Sequence, residues 1–121
     1  MFDHIGLRVQ EIATSTAFYR QLLAPLGYGL ESEGDGYAGF GPKGAPALWL
    51  HASGAQARSS VHIALRAASR QAVHDFHAQG LAAGAKDNGS PGLRPDYAPN
   101  YYAAYLLDAD GNNIEAVCFA E

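Results

Sequence analysis

Three residues of this sequence have the chemistry of a metal centre, and the pattern around each says where it points. His4 stands in DHIGLRV (3–9), His62 in VHIAL (61–65) and Glu115 in GNNIEAVCFAE (111–121). Each sits in an alternating run. Ile5, Leu7 and Val9 oppose His4, Gly6 and Arg8, while Val61, Ile63 and Leu65 oppose His62, Ala64 and Arg66. Ile114, Ala116 and Cys118 likewise leave Glu115 on the other side of its run. If the apolar sides bury against one layer, two imidazoles and a carboxylate from three strands share a face. That set suits a divalent cation with open positions: Fe(II), or Zn, Mn, Ni or Co in similar sets. The cation would stabilise an ionised Glu115 where an unpaired carboxylate is costly. Ordinary alternatives stand beside this one. A histidine at a strand start commonly serves as a hydrogen-bonded structural residue. Glu115 could instead pair with Arg8 or Arg66, or face water from an edge strand.

An internal repeat favours the metal set. Shifting the chain by 58 positions lays His4-Ile5-Gly6-Leu7-Arg8 over His62-Ile63-Ala64-Leu65-Arg66, with Phe18 over Phe76 in the same register. Both histidines therefore hold the same place in a duplicated unit. A helix follows each first strand: Phe18, Leu22 and Leu26 keep helical spacing up to Pro25, and Val73, Phe76 and His77 share a face between an N-cap at Ser69 and a stop at Gly84. Turn residues then separate short strands, Asp110-Gly111 marking a hairpin between 103–107 and 114–119. Each half reads as strand, helix and two or three strands. The polar segment 53–60 links module 1 (1–53) to module 2 (60–121), and the Gly- and Pro-rich stretch 87–100 reads as an irregular loop.

The 121 residues have the length of one domain and can bury about two thirds of their unfolded surface without disulfides. A net charge of −4 with no basic stripe argues against nucleic acid and membrane surfaces. The single cysteine, Cys118, fits a reducing compartment and falls on the helix-facing side as an inert small hydrophobe. No secretion signal and no apolar run of ~20 residues are visible, so a cytoplasmic location is expected.

With residues so placed, the sequence resembles the vicinal oxygen chelate superfamily of glyoxalases, extradiol dioxygenases and fosfomycin or bleomycin resistance proteins. The resemblance spans nearly the whole chain, through DHIGLRV, FYRQLLAPLGY (18–28), VHIAL and LLDADGNNIEAV (106–117), the last being the most specific. It implies an α+β fold of two tandem βαβββ modules, an open cup-shaped mixed sheet with helices on the convex side, commonly as a homodimer. It implies a divalent metal on His4, His62 and Glu115. Glyoxalase I carries Glu or Gln as a fourth ligand in the first module. Counting from the turn glycines puts Leu48 there, with Trp49 or His51 reached only by a one-residue shift. A leucine in that slot speaks against glyoxalase I itself.

A metal on three ligands would act as a Lewis acid on a small molecule offering vicinal oxygens, in a lyase, isomerase or dioxygenase reaction. The alternative is a metal-free protein that sequesters a small molecule, as bleomycin resistance proteins do. Tyr102 and Tyr105 are catalytic candidates, but an odd step separates them, so a regular strand turns only one toward the cup. Arg94, Tyr97 and Tyr101 are candidates for substrate binding, with Arg94 able to take a carboxylate or phosphate unless Asp96 pairs with it. Tyr19, His74 and His77 belong to helices and default to packing or solvent.

Overall fold

Both halves of the repeat fold alike in the computed structural model, which describes residues 1–54 and 59–121. Module 1 runs β1 (Ile5–Val9), α1 (Ile12–Leu23), a 3-10 turn (Ala24–Leu26), β2 (Gly29–Gly34), β3 (Tyr37–Gly41) and β4 (Leu48–Ala52). Module 2 runs β5 (His62–Arg66), α2 (Arg70–Ala82), β6 (Lys86–Leu93), β7 (Tyr102–Leu107) and β8 (Asn113–Cys118). The sheets are ordered β1-β4-β3-β2 and β5-β8-β7-β6. In each, the first strand pairs in parallel with the last, and the other pairings are antiparallel. This is the α+β fold of two tandem βαβββ modules with open mixed sheets. The linker expected over 53–60 falls partly outside the described residues; at its described end, Ser59 Oγ accepts the Arg8 amide at 2.8 Å.

Local sequence explains the helix limits. Pro25 has no N–H to continue the α-helical ladder, so α1 stops at Leu23 and tightens into the 3-10 turn. Ser69 caps α2, its Oγ accepting from the Ala72 amide at 3.1 Å. The buried face of α2 is Val73, Phe76, His77 and Gly80. A Cβ at Gly80 would collide with the Leu106 side chain, so the missing side chain is what lets β7 lie against α2. Leu7, Val9, Leu22, Phe40, Leu50, Phe76, Leu106 and Ile114 join one core cluster shared by both modules. Each such side chain contributes roughly 1.5–3 kcal/mol of burial.

The stretch expected as a loop over 87–100 is instead strand as far as Leu93. Its glycines and Pro91 made it look irregular. They are absorbed as register shifts between Asp87 and Gly89 and between Gly89 and Gly92. The outer position of β6 in its sheet tolerates such bulges and a residue without an N–H.

The modules are tied by the turn that begins β8. Asp108 Oδ1 accepts the amides of Asp110 at 2.9 Å and Asn112 at 2.8 Å, and Asp108 Oδ2 accepts Asn112 Nδ2 at 2.8 Å. From module 1, the Tyr19 hydroxyl donates to Asp108 Oδ2 at 2.5 Å and the Gln10 amide to Asp110 Oδ1 at 3.0 Å. Asn112 Oδ1 takes the Val61 amide at 3.2 Å. The D-x-D-G-N sequence thus builds a buried polar knot that fixes where β8 starts, and so which of its side chains face outward. No helix is long and apolar enough to cross a membrane.

Candidate metal and substrate site

Alternation along β8 buries Ile114, Ala116 and Cys118 in the core cluster and turns Asn113 and Glu115 to the open face. The ladder sets Glu115 opposite Ala64 of β5 and Tyr105 of β7. His62, two residues before Ala64 on β5, reaches Glu115, with Nε2 2.9 Å from Oε2. The other carboxylate oxygen accepts the Tyr101 hydroxyl at 2.5 Å. Glu115 is only 2% exposed, whereas the His62 side chain is 49% exposed, so the carboxylate is sunk and the imidazole opens outward. The partners of Glu115 are therefore His62 and Tyr101; neither Arg8 nor Arg66 pairs with it among the described residues. The Arg66 guanidinium sits over the Phe119 ring, 4.7 Å from its centre.

The protons of this set can be placed. His62 Nδ1 lies 3.2 Å from the Asn113 carbonyl oxygen, which only accepts, so Nδ1 carries hydrogen. Nε2 then meets a carboxylate oxygen that also only accepts. Only a cation between them, a proton or a metal ion, makes that contact favourable. At 2.9 Å the contact has the length of a charge-assisted hydrogen bond, and it brings both groups close enough to serve one ion. The Asn113 contact is the kind of outer bond that fixes a metal-binding imidazole. Asn113 Oδ1 is also buried without a hydrogen-bond partner.

The tyrosines divide as the odd step requires. Tyr105 faces the site, its ring 6.2 Å from the His62 ring at 28° between planes. Burial, then the Glu115 charge, raises the Tyr105 hydroxyl above the ordinary phenol range. Tyr101 is pushed up further, first by burial and then by its bond to Glu115, so it stays a donor. Tyr102 is on the helix face. Its hydroxyl lies 2.6 Å from His74 Nε2, and Arg70 stands over its ring at 4.9 Å. It is too far round the strand to join Tyr105, which corrects its candidacy as a catalytic group. Arg94 lies over the Tyr105 ring at 5.4 Å, and its Nη2 donates to the Ser90 carbonyl at 2.7 Å. Arg94 makes no ion pair with Asp96 among the described residues. Tyr97 is 68% exposed and packs its ring on Tyr101 at 5.1 Å.

His4 departs from the expected set. It is exposed, contacts Asp3 Oδ1 at 2.6 Å, and lines an apolar cavity of about 250 Å³ with Leu23, Phe40 and Ile63, to which neither His62 nor Glu115 contributes. Among the described residues no three His, Cys, Asp or Glu side chains converge to hold a metal. A single chain thus assembles His62 and Glu115 without His4.

The first-module slot is corrected by one residue. Gly6 pairs with Trp49 as its repeat partner Ala64 pairs with Glu115, so Trp49 is the counterpart of Glu115. Leu48 pairs with Ile5 on the core side and is 7% exposed. The β3–β4 turn carries one residue more than the β7–β8 turn, which is why counting from the glycines lands short. His51 shares the face of Trp49 and is exposed, opposite Arg8. Sequence reading missed Asn113 and the role of Tyr101 toward Glu115. The two-residue step from Asn113 to Glu115 was a usable signal for the first; the second depends on a loop path that no periodicity reports.

Residues 1–116 match the model of the Glyoxalase/Bleomycin resistance protein/Dioxygenase superfamily. The fold is similar to a glyoxalase/bleomycin resistance protein from Albidiferax ferrireducens, with TM-score 0.83, 28% identity and 98% of each chain covered. It is also similar to a putative glyoxalase from Bacillus halodurans, with TM-score 0.72 and 23% identity over 98% of this chain and 95% of that one. A third likeness, with TM-score 0.69 and 18% identity over 97% of this chain and 88% of that one, is to a mutant of the fosfomycin resistance protein FosX from Listeria monocytogenes complexed with Mn(II) and 1S,2S-dihydroxypropylphosphonic acid. A comparison with curated proteins finds no match. The family match over residues 1–116 and the duplicated βαβββ architecture agree: the chain belongs to the glyoxalase/bleomycin resistance protein/dioxygenase superfamily.

Proposed function

We propose that this protein is a divalent-metal-dependent enzyme of the lyase, isomerase or dioxygenase type, acting on a small substrate that offers two vicinal oxygens. The observation that carries the reading is the His62–Glu115 contact at 2.9 Å, made by a nearly fully buried carboxylate and an imidazole whose other nitrogen is already committed. Manganese in the Listeria FosX complex supports it by likeness of fold. His62 and Glu115 would hold the ion, Fe, Zn, Mn, Ni or Co being compatible with the donors. Bound there, such an ion supplies Lewis-acid polarisation of the substrate oxygens. His4 becomes the third ligand if the protein works as a homodimer in which each site takes His4 from the second copy.

The other residues have roles that follow from position. Tyr101 orients Glu115 through its 2.5 Å bond. Tyr105 remains protonated at neutral pH and can donate a hydrogen bond, or a proton, to a substrate oxygen beside His62. Arg94, with Tyr97 and Tyr101 nearby, offers a guanidinium for an anionic substituent. Trp49 in the slot where a fourth ligand would stand sets this site apart from a four-ligand glyoxalase I. A second reading, metal-free sequestration of a small molecule in the cytoplasm, draws on one observation: His62 at 2.9 Å and Tyr101 at 2.5 Å already meet both Glu115 oxygens without an ion.

Metal analysis of protein purified without chelator separates the two. The enzyme reading expects stoichiometric metal that is lost in His62→Ala, Glu115→Ala and His4→Ala. Mixing the His4→Ala and Glu115→Ala chains should restore about one of the two sites in each mixed dimer. Unchanged metal content in His62→Ala and Glu115→Ala sinks the enzyme reading; no recovery on mixing sinks the shared site.

A further inference from the structure

Strand β6 carries the one Asn-Gly pair of the chain, Asn88-Gly89; the other asparagines precede Tyr101, Asn113 and Ile114. An asparagine followed by glycine can close on the next main-chain nitrogen, because no side chain there obstructs the approach. A regular strand prevents this closure, since the ladder holds the chain extended. Asn88 escapes that protection. Asp87 pairs with Leu106 and Gly89 with Tyr105, so two steps on β6 answer one on β7, and Asn88 is the extra residue of a bulge. β6 is also the outer strand of its sheet, with no second neighbour to hold it. Asn88 is exposed, and among the described residues no hydrogen bond ties its side-chain amide.

The nitrogen that would attack is placed as well. The Gly89 amide donates to Asp87 Oδ1 at 3.0 Å, and the Asp87 side chain is 51% exposed. His77 Nε2 lies 2.9 Å from the same oxygen and fixes it from the α2 side. The hydrogen that must leave the nitrogen therefore already points at a carboxylate open to water. Gly89 stands at φ +154°, a conformation that other residues rarely adopt, and a Cβ there would come within 2.7 Å of Tyr105 Cδ2. The fold thus requires the very glycine that leaves the bond unprotected.

We propose that Asn88 is a self-modification site, which deamidates through a cyclic imide in the folded protein. The Gly89 nitrogen bonds to the Asn88 side-chain carbonyl carbon, and the amide C–N bond of the side chain breaks. The side-chain nitrogen leaves as ammonia, taking up the hydrogen shed by Gly89. Water then opens the imide at either carbonyl, giving aspartate or isoaspartate, with no change of oxidation state. Aspartate adds only a negative charge beside Asp87. Isoaspartate also adds a methylene to the main chain, which displaces β6 along β7. Two residues on, the Ser90 carbonyl holds Arg94 Nη2 at 2.7 Å, so the displacement reaches a candidate substrate residue. Only that last consequence rests on the reading of Arg94 given above.

The experiment ages the folded full-length chain at neutral pH, free of metal and substrate, and follows each asparagine by peptide mass spectrometry. Digestion at mildly acidic pH keeps new imide from forming, and an isoaspartyl methyltransferase with its methyl donor labels the isoaspartate. Asn88 is expected to react roughly tenfold or more faster than Asn100, Asn112 or Asn113, and within about tenfold of the urea-unfolded chain. A group that reacts only after global unfolding is slowed by roughly 10³-fold or more. Asn88→Gln should stay unmodified at this position, because its longer side chain closes the ring far more slowly. The isolated isoaspartate form should unfold at a lower urea midpoint than Asn88→Asp, which has the charge but the normal main chain. A native rate more than about a hundredfold below the unfolded one overturns the proposal, as does faster reaction at another asparagine. Equal midpoints of the isoaspartate form and Asn88→Asp overturn the displacement of β6. Every arm is free of metal, so failure here leaves the His62–Glu115 reading untouched, and loss of that reading leaves this one standing.

Discussion

Replacing Tyr19 with Phe isolates one hydroxyl at the join between the modules. The ring keeps its packing against Phe18 at 5.1 Å and Phe40 at 6.3 Å, so no cavity opens. What goes is the 2.5 Å bond to Asp108 Oδ2, between a fully buried phenol and a carboxylate 7% exposed. Hydrogen bonds to charged groups contribute about 1.5–3 kcal/mol. Asp108 Oδ2 still receives Asn112 Nδ2 at 2.8 Å, so it is not orphaned, and the lower half of that range applies. A loss of ~2 kcal/mol corresponds to a urea midpoint lower by roughly 1 M, given slopes of about 1–3 kcal/mol/M. The pH dependence gives a second readout. Burial, followed by the Asp108 charge, raises the Tyr19 hydroxyl well above the ordinary phenol range. A group whose folded value is raised contributes stability that is complete below its unfolded value, ~10 for tyrosine, and is lost as pH rises beyond that. Urea unfolding followed by circular dichroism at pH 7 and above pH 10 should therefore show wild type and Tyr19→Phe converging on the alkaline side. An unchanged midpoint at pH 7 refutes the reasoning. So does an equal cost of Tyr19→Phe in an Asp108→Ala background, since a bonded pair must show coupling.

Other outcomes follow from contacts elsewhere in the fold. Tyr101→Phe frees Glu115 Oε1 and should lower Mn(II) affinity roughly 10–100-fold by calorimetric titration, as loss of an outer partner of a ligand does; a change within about twofold refutes that role. The hydrogen bond from His77, with that of the Gly89 amide, holds the Asp87 carboxyl below its usual range. Its contribution is present above ~3.9 and is lost as pH falls through the depressed folded value, so Asp87→Asn should flatten the acid limb of stability between those points. Identical acid limbs would contradict it. Gly80→Ala pushes a methyl into Leu106 and should cost about 1–3 kcal/mol in chemical unfolding, with stabilisation ruling out the close approach.

How far the sequence could be read depended on period and on what lay outside any period. The duplication and the alternation around His62 and Glu115 were visible because a strand has a period of two and the repeat set the phase twice. That same logic sent Tyr102 and Tyr105 to opposite faces without choosing between them; Ala104 and Leu106 packing on the core with Tyr102 make the choice. Counting from a turn glycine failed at Leu48 because turn length is not periodic, and one residue flips a strand. Strand β6 was hidden since bulges break the alternation by which strands are recognised. His4 shows the limit of face arguments: a shared face does not guarantee a shared point, and its separation from His62 depends on how two sheets are set side by side.

The parallel pairing of first and last strand gives each module its own timetable. Ile5 finds its partner Leu48 43 residues along, and Ile63 finds Ile114 51 residues along, so neither sheet closes on local contacts alone. Every strand partner of module 1 lies before residue 53, which allows its sheet to form while module 2 is still being synthesised. Tyr19 belongs to that early half, yet the acceptor for its hydroxyl is Asp108. A nascent module 1 therefore carries an unanswered phenol at its future seam until the second module brings the carboxylate, and with it the Phe76, Leu106 and Ile114 side chains that complete the shared core.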